Sequence, residues 1–213
     1  MKTHNVCRPG PFGPGPKPFV LAAAMLIAWG LKRYYSYAGA DDLRWILAPT
    51  ARLVGVVTGA TFALQPGEGY FSRDHLFLIE KSCAGINFMV AALGLLVVAL
   101  FHRVRSAISA ARVLGISLLV SYLAAVVVNT ARIAIAMWLA AHPAALPRFD
   151  ATDVHRFEGI IVYFGGLVLL HELVQRLDRR GFMVARSLRA DTRGAKTTDC
   201  LAEASERLHG SEG

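Results

Sequence analysis

Two stretches of this chain run without a formal charge for the length of a bilayer. Ser82 to His102 is 21 residues without Lys, Arg, Asp or Glu, and Val113 to Ala131 is another 19. A hydrocarbon core about 30 Å thick is crossed by about 20 helical residues at 1.5 Å rise each. Composition agrees: over 213 residues, 54% are hydrophobic and 18% charged, and mean hydropathy is +0.44. That excludes a disordered chain and argues against a soluble globular domain. The excess of 23 Lys+Arg over 15 Asp+Glu reads as the basic bias of a membrane protein's cytoplasmic loops, and no nucleic-acid partner is expected.

Further segments follow from the same criterion. A first span is expected over Pro18 to Tyr37, ending in Lys32, Arg33 and the aromatics Tyr34, Tyr35 and Tyr37, which suit an interface. A weaker second span, Leu43 to Leu64, is interrupted by Arg44 and Arg52. A polar loop follows over Gln65 to Ser82. The third span is Ala84 to Phe101 and the fourth Val113 to Ala131. Ile133 to Ala141 is too short to cross alone, and either extends the fourth helix or lies re-entrant or interfacial. The last span is Phe157 to Leu177. The expected fold is therefore all-α, a polytopic transmembrane bundle of about five to six spans occupying residues 18–177. An irregular Pro/Gly-rich leader (1–17) precedes it. A polar, loosely ordered cytoplasmic tail (178–213) follows, with 7 basic and 6 acidic residues.

Charge bias sets the orientation. Arg103, Arg105 and Arg112 put the third-to-fourth loop in the cytoplasm, and Arg176, Arg179, Arg180 and Arg186 put the C-terminus there. The segments before Cys83 and around His155 then face outward. Counting back through five spans places the N-terminus outside, against the mild opposing bias of Lys2, Arg8 and Lys17.

That topology brings three reactive side chains to one depth. Cys83 is 20 residues from Arg103, about 30 Å along a helix, and so lies at the outer end of the third span. Arg132 is 20 residues from Arg112 and reaches the same level. His155 directly precedes the last span. A thiolate is a nucleophile whose pKa falls beside cations. An imidazole exchanges protons near neutrality. A guanidinium stays charged and polarises a carbonyl or holds an oxyanion. Asn129, three residues before Arg132 and on the same helical face, is the candidate substrate-binding residue. The other cysteines, Cys7 and Cys200, lie in the leader and the tail. No CxxC, HExxH or G-x-S-x-G occurs, which disfavours a zinc knuckle, a zinc protease and a serine-elbow hydrolase.

Ser82-Cys83-Ala84-Gly85-Ile86-Asn87, then Asn129-Thr130-Ala131-Arg132-Ile133, then His155-Arg156-Phe157-Glu158-Gly159 together resemble the exosortase/archaeosortase family. The resemblance covers about residues 70–177 and is nearest to compact members of the exosortase K type, without the extra spans or outer domain of larger ones. It implies a membrane-embedded cysteine protease or transpeptidase, with Cys83 as nucleophile, His155 as acid/base and Arg132 as transition-state stabiliser. Its partners would be exported proteins bearing a C-terminal sorting signal, together with membrane lipid. It implies neither cofactor nor metal. The location implied is the bacterial cytoplasmic membrane, with the active site facing outward. Two alternatives belong to other classes: a non-catalytic assembly or scaffold subunit, and a small transporter, in either of which Arg132 and His155 are structural or pathway residues.

Overall fold

The structure, a computed structural model, describes residues 16–74, 76–142 and 157–179. The chain divides into two compact units, one ending at His171 and the other beginning at Glu172. Fold and site belong to the first. The expected leader, apart from Pro16 and Lys17, and the tail, apart from Asp178 and Arg179, lie outside the described residues, as do Cys7, Cys200 and the segment carrying His155.

Five α-helices are present among the described residues: α1 (Pro16–Tyr37), α2 (Arg44–Thr58), α3 (Ile86–Ala99), α4 (Ala107–Ala141) and α5 (Phe157–Arg179). Three helical segments are long and apolar enough to cross a membrane: Lys81–Ala99, Ala107–Ala141 and Phe157–Arg179, of 19, 35 and 23 residues. α1 has 22 residues, and Lys17, Lys32 and Arg33 lie at its two ends.

The region expected to hold a second span and a polar loop differs. α2 has 15 residues, about 22 Å at helical rise, and falls short of a bilayer core. It stops at Thr58 because Gly59 turns left-handed (φ 76°) and returns its N–H to the Gly55 carbonyl. Residues 63–79 then form a three-stranded antiparallel sheet, so the chain is mostly helical and not all-α. Its strands are β1 (Ala63–Gln65), β2 (Gly69–Ser72) and β3 (Phe77–Ile79) in the order β1-β2-β3. Leu64 pairs with Tyr70, and Tyr70 in turn with Ile79. The physical reason is the Pro66-Gly67 turn: Gly67 takes a positive φ of 82° and bends the chain back on itself between β1 and β2.

α4 is one unbroken helix and absorbs the apolar segment Ile133 to Ala141. It begins at a reciprocal capping box, in which Ser109 N–H donates to Ser106 Oγ at 3.2 Å and Ser106 N–H to Ser109 Oγ at 2.8 Å. It ends at Ala141, two residues before Pro143. At 35 residues it is about 52 Å long, well beyond a bilayer core, so Arg132 sits inside the helix rather than at its end.

α3 packs against both α1 and α4. Val20 and Ala24 of α1 meet Leu93 and Val97 of α3, and Val104 and Val113 close the cluster. α2 leans on α4 through the stacked rings of Trp45 and Tyr122, 5.8 Å apart. Pro49 lies inside α2 and has no N–H for the Trp45 carbonyl one turn back. The Tyr122 hydroxyl donates to that carbonyl instead, at 2.8 Å.

Candidate functional site

The Cys83 turn is built by what surrounds it. β3 ends at Ile79, fully buried, and Glu80 leads into a 3-10 turn over Lys81–Ala84. The Glu80 carbonyl accepts the Cys83 N–H at 2.9 Å, and its carboxylate accepts the Ser82 hydroxyl at 2.6 Å. Gly85 then takes a left-handed conformation (φ 66°) and becomes the N-cap of α3. A side chain there would strain the backbone and its Cβ would stand 3.2 Å from Asn129 Cγ. The sheet thus delivers a half-buried thiol to the start of an apolar helix.

α1 braces the same turn. The Lys81 ammonium lies over the Tyr35 ring, 5.1 Å from its centroid, and Lys32 Nζ donates to Asn87 Oδ1 at 2.6 Å.

From α4, Asn129 is buried (1% exposed) and donates through Nδ2 to the Cys83 carbonyl. Its Oδ1 accepts the Tyr163 hydroxyl of α5 at 3.0 Å. Arg132, one turn on, donates through Nη1 to that same hydroxyl at 3.2 Å, and its guanidinium carbon lies 5.3 Å from the centre of the Tyr163 ring. A continuous polar chain, Arg132 to Tyr163 to Asn129 to the Cys83 carbonyl, therefore links three elements.

Two glycines allow α5 to come this close. A Cβ on Gly159 would stand 3.1 Å from Arg132 Nε, and one on Gly166 would stand 2.9 Å from both Val128 methyl groups. Gly159, Tyr163 and Gly166 are spaced i, i+4, i+7, which places all three on one helical face. The Tyr163 ring also rests against Phe88 of α3 at 5.5 Å between centroids.

Beside this chain lies a cavity of about 360 Å³ whose lining includes Tyr35, Ser82, Asn87, Arg132, Gly159 and Tyr163. It offers a cation, hydroxyls and an amide at the mouth of the Cys83 turn, a combination that receives polar, carbonyl-bearing groups.

Of the residues expected to carry chemistry, the structure brings together the neighbourhoods of Cys83, Asn129 and Arg132. His155 lies outside the described residues; α5 begins two residues later. Asn129, expected to bind substrate, has both ends of its amide engaged by protein groups. Tyr163 was missed by sequence reasoning. Its signal was a single tyrosine in an apolar helix, at i+4 from one glycine and i−3 from another. No group of three or more His, Cys, Asp or Glu side chains that could hold a metal ion occurs among the described residues.

No protein-family model matches the sequence, and neither the curated proteins nor the solved structures yield a match.

Proposed function

We propose that the chain is an integral-membrane cysteine protease or transpeptidase of the exosortase/archaeosortase type. In this reading it is a multi-pass protein of the cytoplasmic membrane and cleaves C-terminal sorting signals of exported proteins at the outer face. The observation that carries it is the tie between the Cys83 turn and Asn129, one helical turn from Arg132, beside a polar cavity. The Cys83 turn and Asn129, 46 positions apart in the chain, are joined directly, and the Arg132 guanidinium is tied to them through Tyr163, which supports a shared site.

The chemistry then runs in two halves. The Cys83 thiolate attacks the scissile carbonyl carbon, a C–S bond forms, and the Arg132 guanidinium holds the oxyanion. Collapse breaks the C–N bond, and His155 gives the departing amine its proton, leaving a thioester. Water or an amine acceptor attacks that thioester, surrenders a proton to His155, and expels the Cys83 thiolate.

The test is co-expression with a tagged protein ending in a sorting motif, an apolar helix and a basic tail. Cys83→Ala should leave the substrate uncleaved while the variant still inserts, because a small volume change at a helix start is mild and loss of the nucleophile is not. Normal processing by Cys83→Ala would end the cysteine mechanism.

A second reading has an observation of its own. A polar chain that joins α3, α4 and α5 through Tyr163 and Asn129 is also what a non-catalytic assembly subunit would use to fix its helices. Thiol labelling separates the two: a nucleophilic Cys83 reacts faster than an ordinary interfacial thiol and loses that excess on substitution of His155.

A further inference from the structure

Arg132 reaches the Cys83 turn only through intermediaries, and the one they share is a phenol. Tyr163 Oη accepts from Arg132 Nη1 at 3.2 Å and donates to Asn129 Oδ1 at 3.0 Å, while Asn129 Nδ2 holds the Cys83 carbonyl. A hydroxyl has one proton to give and lone pairs to receive. Here the two roles are fixed by chemistry, since a guanidinium can only donate. The hydrogen bonds therefore run in one direction, from guanidinium to phenol to amide to the backbone of the turn.

The surroundings hold the phenol in place. Its ring is pinned by Phe88 at 5.5 Å and covered by the guanidinium at 5.3 Å. Gly159, a turn before it, leaves the room that Arg132 Nε occupies, and Gly166 lets α5 sit against Val128. Removing the hydroxyl alone would leave ring packing and helix crossing unaltered, yet would take one hydrogen bond from the guanidinium and one from the amide together.

We infer that Tyr163 is the positioning residue of this site: its hydroxyl sets the Arg132 guanidinium and the Cys83 turn in one mutual geometry. The inference rests on the proposed cysteine chemistry for its effect on turnover, and on hydrogen bonding alone for its effect on the turn. It separates the roles of two neighbours on α4. Arg132 touches the reacting group, whereas Asn129 and Tyr163 act through others.

Tyr163→Phe decides it, in the full-length protein in native membranes at matched levels. Two readouts are taken: processing of a tagged substrate, and the rate at which a maleimide alkylates Cys83 with no substrate present. Processing should fall roughly tenfold to a hundredfold in kcat, the scale of one hydrogen bond to a charged group, with KM changed less than about twofold. Arg132→Lys combined with Tyr163→Phe should lose less than the product of the two single losses, because part of the hydroxyl's effect runs through the guanidinium. Alkylation of Cys83 should quicken several-fold in Tyr163→Phe, and at least as much in Asn129→Ala, which removes the bond to the Cys83 carbonyl itself.

Wild-type turnover in Tyr163→Phe, or losses that multiply in the double variant, would overturn the inference. Were the wild-type protein to show no Cys83-dependent processing, the proposed function would fail, and alkylation would then decide alone. Unchanged alkylation in Tyr163→Phe overturns the positioning role, and faster alkylation upholds it.

Discussion

Asn129 holds the backbone carbonyl of Cys83 across 46 positions of sequence, so the turn that presents the thiol is fastened to the middle of α4. The contact depends on Gly85, whose left-handed backbone ends the turn and whose missing side chain admits the amide. The thiol is placed by a neighbour's backbone conformation as much as by its own.

Gly85→Ala should therefore destabilise the protein by about 1–3 kcal/mol, the usual cost of holding a non-glycine residue in that region. It should also loosen the Cys83 turn. Gly94 in α3 is the control, since a Cβ there meets nothing within 4 Å; Gly94→Ala should be neutral or stabilising by roughly 0.5–1 kcal/mol. Thermal unfolding in detergent, read beside Cys83 alkylation, measures both.

Arg132→Lys should fail almost as badly as Arg132→Ala. A lysine keeps the charge and would satisfy a mere anchor at the membrane boundary. It lacks the planar fork that bonds Tyr163 while facing the cavity. Loss of a well-placed oxyanion donor costs about 10²–10³ in rate, and lysine should recover only part of it. Substrate turnover at matched membrane levels checks this, and near-wild-type activity in Arg132→Lys would reduce Arg132 to an anchor.

Cysteines introduced at Glu68 and at Arg105, in a chain whose own cysteines are replaced by alanine, should label from opposite sides of the membrane. Both positions are exposed, and the apolar segment Lys81–Ala99 lies between them. An impermeant maleimide on intact cells should reach position 68 and miss position 105. Labelling of both from one side would remove the topology from which a shared level of Cys83 and Arg132 is expected.

Acid should loosen the β1–β2 turn where Asp41 holds it. The Asp41 carboxylate accepts from Arg44 Nη2 at 2.9 Å and from the Gly67 N–H in the β1–β2 turn at 2.9 Å. The Arg44 hydrogen bond first, and the Gly67 bond after it, hold its pKa below the ordinary 3.8. A folded-state pKa lowered in this way contributes stability that is fully present above the ordinary value and is lost as pH falls through the folded one. Protection of the Gly67 amide against hydrogen exchange, corrected for intrinsic rate, should be flat above about pH 5 and fall below about pH 4. In Asp41→Ala it should be low throughout.

What the sequence by itself determined is where the chain is apolar enough to cross a membrane. Charge-free runs at Ser82–His102 and Val113–Ala131 are local facts about transfer from water to hydrocarbon, and they need no partner to be read. The first encloses α3 and the second falls within α4. The tertiary structure decided the rest. Leu43 to Leu64 reads as a weak span, but Gly59 ends α2, and pairing between Ala63–Gln65 and Gly69–Ser72 takes the remainder into a sheet. Strand pairing is a non-local interaction, and strands of three or four residues carry too little period to announce it. The continuity of α4 through Arg132 was one of the options the sequence left open, and it stayed open for a related reason. A charge inside an apolar helix is costly facing lipid and tolerable facing protein, and only the packing of α5 shows which way it faces. Tyr163 is the clearest case: in the sequence it is one aromatic among many, and it becomes the hub of the site because Gly159 and Gly166 let its helix approach α4 closely enough for two hydrogen bonds to form.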